Sequence, residues 1–148
     1  MTTTFRVFVE DDYEAALDLW KRCEGMGLSA ADEPCAFKRF LARNPETCFV
    51  AVEEGQVIGT VQGGSDGRRG YLYHLAVDPA HRKRGIGKAL VDRCLAAMQA
   101  AGIQKCHLLV MGTNLSGQQF WLHEGWKFHS KIVLMSKDIA DVKEAGQC

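Results

Sequence analysis

The segment between Tyr71 and Gly102 constrains this chain most. Residues 71–77 read as a strand, and Pro79 closes it because proline cannot donate to a ladder. From Gly85 to Ala101 the period becomes helical. Ile86, Leu90, Cys94 and Met98 recur four apart, with Val91 and Leu95 beside them and Asp92, Arg93 and Gln99 on the other face. Gly102 ends that helix. The connection, His81 to Lys88, carries four cationic side chains (Arg82, Lys83, Arg84, Lys88) in eight residues. The first amides of a helix lack intrahelical acceptors, and the macrodipole adds positive charge there. Gly85 and Gly87 let a bulky anion approach the backbone closely. A strand, a Gly-x-Gly turn and a helix N-terminus together form a phosphate site. The competing account is a solvated basic turn whose glycines serve packing.

Spacing separates the phosphate ligands. A Walker loop needs Gly-x-x-x-x-Gly-Lys-Ser/Thr, and here Ala89 follows Gly87-Lys88. A dinucleotide fold needs Gly-x-Gly-x-x-Gly, and Leu90 occupies the last glycine position.

The remaining pattern predicts a strand over 4–9 and a helix opened by Asp11-x-x-Glu14 with Tyr13, Leu17 and Trp20 at helical spacing. That helix ends near Gly25 and Gly27. A linker over 29–34 leads to a second helix through Phe37, Phe40 and Leu41, stopped at Asn44-Pro45. Strands are predicted over 47–52, 56–61, 105–111 and 126–136, with turns at 53–55 and 63–67 and a helix over 115–123. The polar tail, residues 138–148, is expected to fray. The order predicts one α+β domain over residues 1–148. Its mixed central sheet has six to seven strands, antiparallel early and crossing over late, with helices on both faces.

With 148 residues the chain is long enough to close a single core. Lys+Arg and Asp+Glu balance at 18 each, so no global field recruits nucleic acid or an anionic membrane. No secretory signal is read at the start, and no apolar run reaches the roughly 20 residues needed to span a bilayer. The six cysteines never form a Cys-x-x-Cys pair and are expected to be reduced core residues of a cytoplasmic protein, with no metal site.

The run Arg82-x-x-Gly85-x-Gly87, just after Leu75-Ala76-Val77-Asp78-Pro79, resembles the coenzyme-binding motif of the GNAT superfamily of acyl-CoA-dependent N-acetyltransferases. Asn114, followed by Phe120-Trp121-Leu122-His123-Glu124-Gly125-Trp126, resembles that family's second motif. The resemblance covers residues 4–137. It implies acetyl-CoA as co-substrate, with the backbone of Leu75, Ala76 and Val77 pairing with the pantetheine arm. It also implies that the amides of Lys83, Arg84, Gly85, Ile86, Gly87 and Lys88 hold the pyrophosphate with Arg82 nearby, and that Asn114 contacts the arm from the far side.

Members of that family typically transfer acetyl directly to an amine, which requires a proton acceptor, donors for the oxyanion and an acid for the departing thiolate. The tyrosine often found four residues before the second-motif glycine is Trp121 here. The glutamate often found five residues before the asparagine is Leu109. Neither ionises. Tyr73 is then the first candidate for the acid, or for orienting a water. His74 has a better pKa for a base, but simple alternation turns it to the other face unless a bulge reverses it. The competing account makes both packing residues. Glu24, Asp32 and Glu33 bias the linker region toward a cationic amine, unless they form only a solvated acidic loop. Two functions remain: an N-acetyltransferase acting on a primary amine of a small molecule or peptide, and a non-catalytic acyl-CoA-binding sensor or regulatory module. A homodimer is compatible with either.

Overall fold

The computed structural model describes residues 2–140. Five strands form one open sheet in the order β1 (Thr4–Val7), β2 (Phe49–Glu53), β3 (Gln56–Ser65), β4 (Gly70–Val77), β5 (Cys106–Leu108). The first four pair antiparallel, and β4 pairs parallel with β5, as a sheet that crosses over through a helix requires. The mixed α+β architecture is as expected, with fewer strands than the six to seven predicted.

Helices cover both faces. On one side α1 (Tyr13–Arg22) and α2 (Pro34–Arg43) lay Ala16, Leu19, Trp20, Phe37 and Leu41 against Cys48, Val50 and Ala76. On the other, α3 (Ile86–Ala100) packs Ile86, Leu90, Val91, Cys94 and Met98 against Ala51, Ile58, Val61 and Leu72. The four-residue spacing read in α3 is therefore the inner face of the second core. Proline at the first position opens α2, where its missing N–H costs nothing. Gly102, with φ +87°, ends α3 while the Ile103 N–H reaches back to the Met98 carbonyl.

Two predicted elements are misplaced. The run 126–136 is not a strand, and Ile132, Val133, Leu134 and Met135 are exposed. Strand propensity is realised only against a partner, and β5 is three residues long instead of the predicted seven. Gly63 and Gly64 do not turn the chain; they lie inside β3, and the turn falls at 66–69. Those glycines mark close approach. A methyl on Gly63 would meet Cys94 Sγ and, at 2.6 Å, the Thr47 carbonyl oxygen; one on Gly64 would lie 2.8 Å from Phe40 Cε1. The expected frayed tail lies outside the described residues from 141 onward. Cys23, Cys48 and Cys94 are buried free thiols and Cys106 is a half-buried one, while Cys35 is disulfide-bonded, against the expectation that all six are reduced.

The α4 helix (Leu115–His123) buries no residue fully and is capped by Asn114.

Gly63→Ala should destabilise the fold by about 1–3 kcal/mol, because α3 packs on backbone at that point. An unchanged urea midpoint would show that α3 can move away freely.

Candidate active site

The site is built on a fault in β4. Ala76 lies opposite Thr60 and Tyr73 opposite Gln62, so three steps on β4 match two on β3, and the ladder skips His74 and Leu75. This is a β-bulge. His74 takes φ +45°, in the left-handed region that non-glycine residues seldom occupy. The consequence is a change of parity. Tyr73 meets Phe40 of α2 (ring centroids 5.9 Å), and His74, the next residue, meets Trp20 of α1 (5.1 Å). Leu75 and Val77 pack instead with the α3 core. Simple alternation places Tyr73 with Leu75 and Val77 and turns His74 away; the bulge brings Tyr73 and His74 to one face.

Neighbours hold His74 there. Trp20 Nε1 donates to Thr60 Oγ1 (2.9 Å), and that hydroxyl donates to the His74 carbonyl (3.3 Å). His74 Nε2 lies 2.6 Å from Asp32 Oδ1. Asp32 is itself buried and fixed. Its second oxygen accepts from the Ser29 N–H (2.9 Å), and its carbonyl accepts from Tyr13 O–H (2.6 Å). The linker acid, read from sequence only as charge, thus orients an imidazole. Tyr73 is 40% exposed, and burial with the neighbouring Tyr71 raises its pKa above the usual tyrosine value, so it stays protonated at neutral pH. Burial pushes the thiols of Cys48 and Cys106 up to about 11 and that of Cys94 higher still, which makes them packing groups and not nucleophiles.

Beside the bulge the sheet opens. β4 pairs with β5 only from Gly70 to Leu72, so residues 73–77 have no β5 partner. A cavity of about 2730 Å³ occupies the opening, and Asp32, Tyr73, His74, Leu75 and Asn114 line it. Ala76 is buried in the α1 core. The Val77 carbonyl accepts from Arg82 Nε (3.2 Å) and faces Cys23 Sγ (3.7 Å).

The basic turn lies where predicted. Lys83 (φ +63°) and Gly85 (φ +77°) both take left-handed backbone, and Gly85 caps α3. A methyl on Gly87 would sit 3.6 Å from Val77, 3.8 Å from Leu75 and 3.8 Å from Phe120, so this residue stands where β4, α3 and α4 converge. Nothing packed there requires a glycine. Not every cation serves the turn's outer surface. Arg84 bonds Glu53 (2.9 Å) and His81 (2.8 Å), and it holds the buried Glu53 carboxyl below its ordinary pKa together with Thr3. Arg84 therefore anchors the loop to β2. Lys88 pairs with Asp92 at the surface (2.7 Å). Asn114 spends Oδ1 on the Gly117 N–H (3.0 Å), and its amide nitrogen lies 3.2 Å from where a Cβ on Gly25 would be, joining α4 to the α1–α2 linker.

Of the two non-ionisable positions, Trp121 packs edge-on against Trp126 at 5.1 Å and Leu109 is exposed. Sequence reasoning missed the Asp32 pairing and all of Gln62, a buried polar residue lining the same cavity. The signal for Gln62 was a polar side chain two residues from Thr60 in a strand whose interior, 57–64, is otherwise apolar or glycine.

The model of the acetyltransferase (GNAT) family matches residues 8–126. An acetyltransferase of Sodalis glossinidius is 33% identical over 139 residues, covering 94% of this chain and 97% of its own length. An acetyltransferase of Pectobacterium atrosepticum is 39% identical over 109 residues, covering 74% and 77%. The fold is similar to that of a PaiA N-acetyltransferase of Thermoplasma acidophilum solved in complex with coenzyme A, with a TM-score of 0.76 at 18% identity over 87% of this chain and 92% of that one. An opened β4–β5 pair, a left-handed glycine turn capping α3 and a family match across most of the chain agree, and this chain belongs to the acetyltransferase (GNAT) family.

Proposed function

We propose that this protein is a cytoplasmic acetyl-CoA-dependent N-acetyltransferase that passes the acetyl group directly to a primary amine of a small molecule or peptide. One observation carries the reading: the bulge turns Tyr73 and His74 onto one face, with His74 held by Asp32 inside the cavity.

These groups divide the chemistry between them. With Nε2–H donating to the Asp32 carboxylate, Nδ1 carries the lone pair that accepts the proton of the acceptor amine. The amine nitrogen forms a bond to the thioester carbonyl carbon, and the carbon–sulfur bond breaks. Backbone N–H at the bulge donates to the developing oxyanion. Tyr73, kept protonated by its surroundings, donates to the leaving thiolate. The amides from Lys83 to Lys88, with Arg82, hold the pyrophosphate, and the stretch after Leu72 without a β5 partner takes the pantetheine arm through Leu75, with Asn114 opposite. Arg84 positions the loop. The sensor reading rests on Trp121 and Leu109; an imidazole oriented by a carboxylate supports catalysis over binding alone.

His74→Ala should lower kcat by about 10²–10⁴-fold, with KM for acetyl-CoA changed only a few-fold. Asp32→Asn should lower it less, through orientation alone. Thiol release from acetyl-CoA over an amine panel measures both. Equal rates would remove the pair from the mechanism, and a wild type that no amine accelerates would restore the sensor. Gly87→Leu should abolish coenzyme A binding by calorimetry while the thermal midpoint moves little. Gly85→Ala tests the same loop less cleanly, since a left-handed alanine itself costs about 1–2 kcal/mol. Unchanged affinity in the Gly87 variant would displace the pyrophosphate from this turn.

A further inference from the structure

We propose that Gln62 selects the acceptor, and that it selects an amine with an uncharged carbonyl next to it, as in a peptide N-terminus or an aminoacyl amide, over a free amino acid. This rests on the acetyltransferase reading above.

The part of the cavity on the α2 side of β4 is lined by Asp32, Phe40, Gln62, Tyr71, Tyr73 and His74. Gln62 is only 4% exposed, and its amide nitrogen has no hydrogen-bond partner among the described residues. Buried polar groups are almost always paired, and one left unpaired is costly to the fold. Gln62 is therefore a donor that the fold itself does not use. Its direction is fixed by register. Thr60 and Gly64, two residues to either side, face Trp20 and Phe40, and Gln62 lies opposite Tyr73, the residue before His74. The amide thus sits one strand away from the imidazole that receives the acceptor's proton.

The charges around it decide what it binds. Asp32 is engaged by His74 and by the Ser29 N–H. The cavity's Lys and Arg residues are Lys105, before β5, and Lys127, after α4; none comes from the strands and helix around Gln62. A carboxylate attached beside the amine would meet Asp32 with no cation to offset it. A neutral carbonyl oxygen meets instead the N–H of Gln62. The rings of Phe40, Tyr73 and Tyr71, in contact at 5.9 and 6.4 Å, supply an apolar wall for the acceptor beyond that carbonyl. An interaction that leaves a buried donor unpaired when the wrong substrate binds is a strong discriminator.

The test uses matched trios built on alanine, phenylalanine and lysine: the free amino acid, its amide, and a tripeptide beginning with it. Acetyl transfer is followed as thiol release from acetyl-CoA. Wild type should favour amide and tripeptide over acid by at least about tenfold in kcat/KM, and a gap between amide and tripeptide separates the small-molecule from the peptide source. Gln62→Leu should shrink the preference to the part that Asp32 alone imposes, through a higher KM for amide and tripeptide, with KM for acetyl-CoA unchanged. Its melting temperature should be equal or higher, since an unpaired buried amide is replaced by an apolar group. Gln62→Glu should lower amide turnover further, having no donor for a carbonyl. A wild-type preference for the acids, a Leu variant that keeps the amide preference in full, or turnover on simple polyamines with none on any trio would overturn the proposal alone. A lower melting temperature with the preference intact would assign Gln62 to the fold and overturn it too. No thiol release with any amine would overturn the acetyltransferase reading and this inference with it.

Discussion

The buried hydroxyl of Thr60 ties the site to the fold. It accepts from the Trp20 indole of α1 and donates to the carbonyl of His74 on β4, so one side chain fastens a helix to the irregular point of a neighbouring strand. A left-handed histidine costs energy that its surroundings must offset. Here the offset is specific: the carbonyl is bonded to Thr60, the ring lies against Trp20, and Nε2 meets Asp32. Trp20, Thr60 and Asp32 come from three different elements, all on the α1/α2 side of the sheet. The first core is thus also the mount of His74.

The opposite core has a different task. α3 packs through Leu90, Cys94 and Met98 against β strands whose glycines allow close approach, and that packing fixes where its N-terminus emerges. The Arg84–Glu53 pair then sets the turn before it. Because β5 leaves β4 after Leu72, the bulge looks into an opening beside the sheet. Each of these features is a departure from regular structure: a ladder that stops, two left-handed residues in a turn, and one extra residue in a strand. Ligand recognition by main-chain groups needs such departures, since a completed ladder has no free donors to offer.

These departures decide which parts were legible in the sequence. Helical period placed α3 and its inner face, proline and glycine placed its ends, and the cationic Gly-x-Gly turn announced an anion site. All are local patterns. The parity of Tyr73 and His74 was not local, because the residues that hold His74 at the bulge, 20, 32 and 60, lie far away in sequence. Asp32 appeared only as one of several linker acids, and nothing nearby says that it will meet residue 74. The run 126–136 failed for the converse reason: its β-branched and aromatic residues are strand-prone, but the edge they needed is three residues long. Likewise Gly63 and Gly64 looked like punctuation and are contact points for Cys94 and Phe40.

The two substitutions that made catalysis doubtful acquire a physical account once the bulge is in view. Proton transfer needs a titratable group near the reacting atoms, whichever element supplies it. A tyrosine on α4 and a glutamate on β5 would supply it from the lightly packed side of the opening, where α4 buries no residue fully and Leu109 is exposed. This chain uses Trp121 to pack α4 onto Trp126 and carries Tyr73 and His74 on β4, beside β3. An imidazole held by Thr60, Trp20 and Asp32 is positioned more tightly than a side chain on a lightly packed helix.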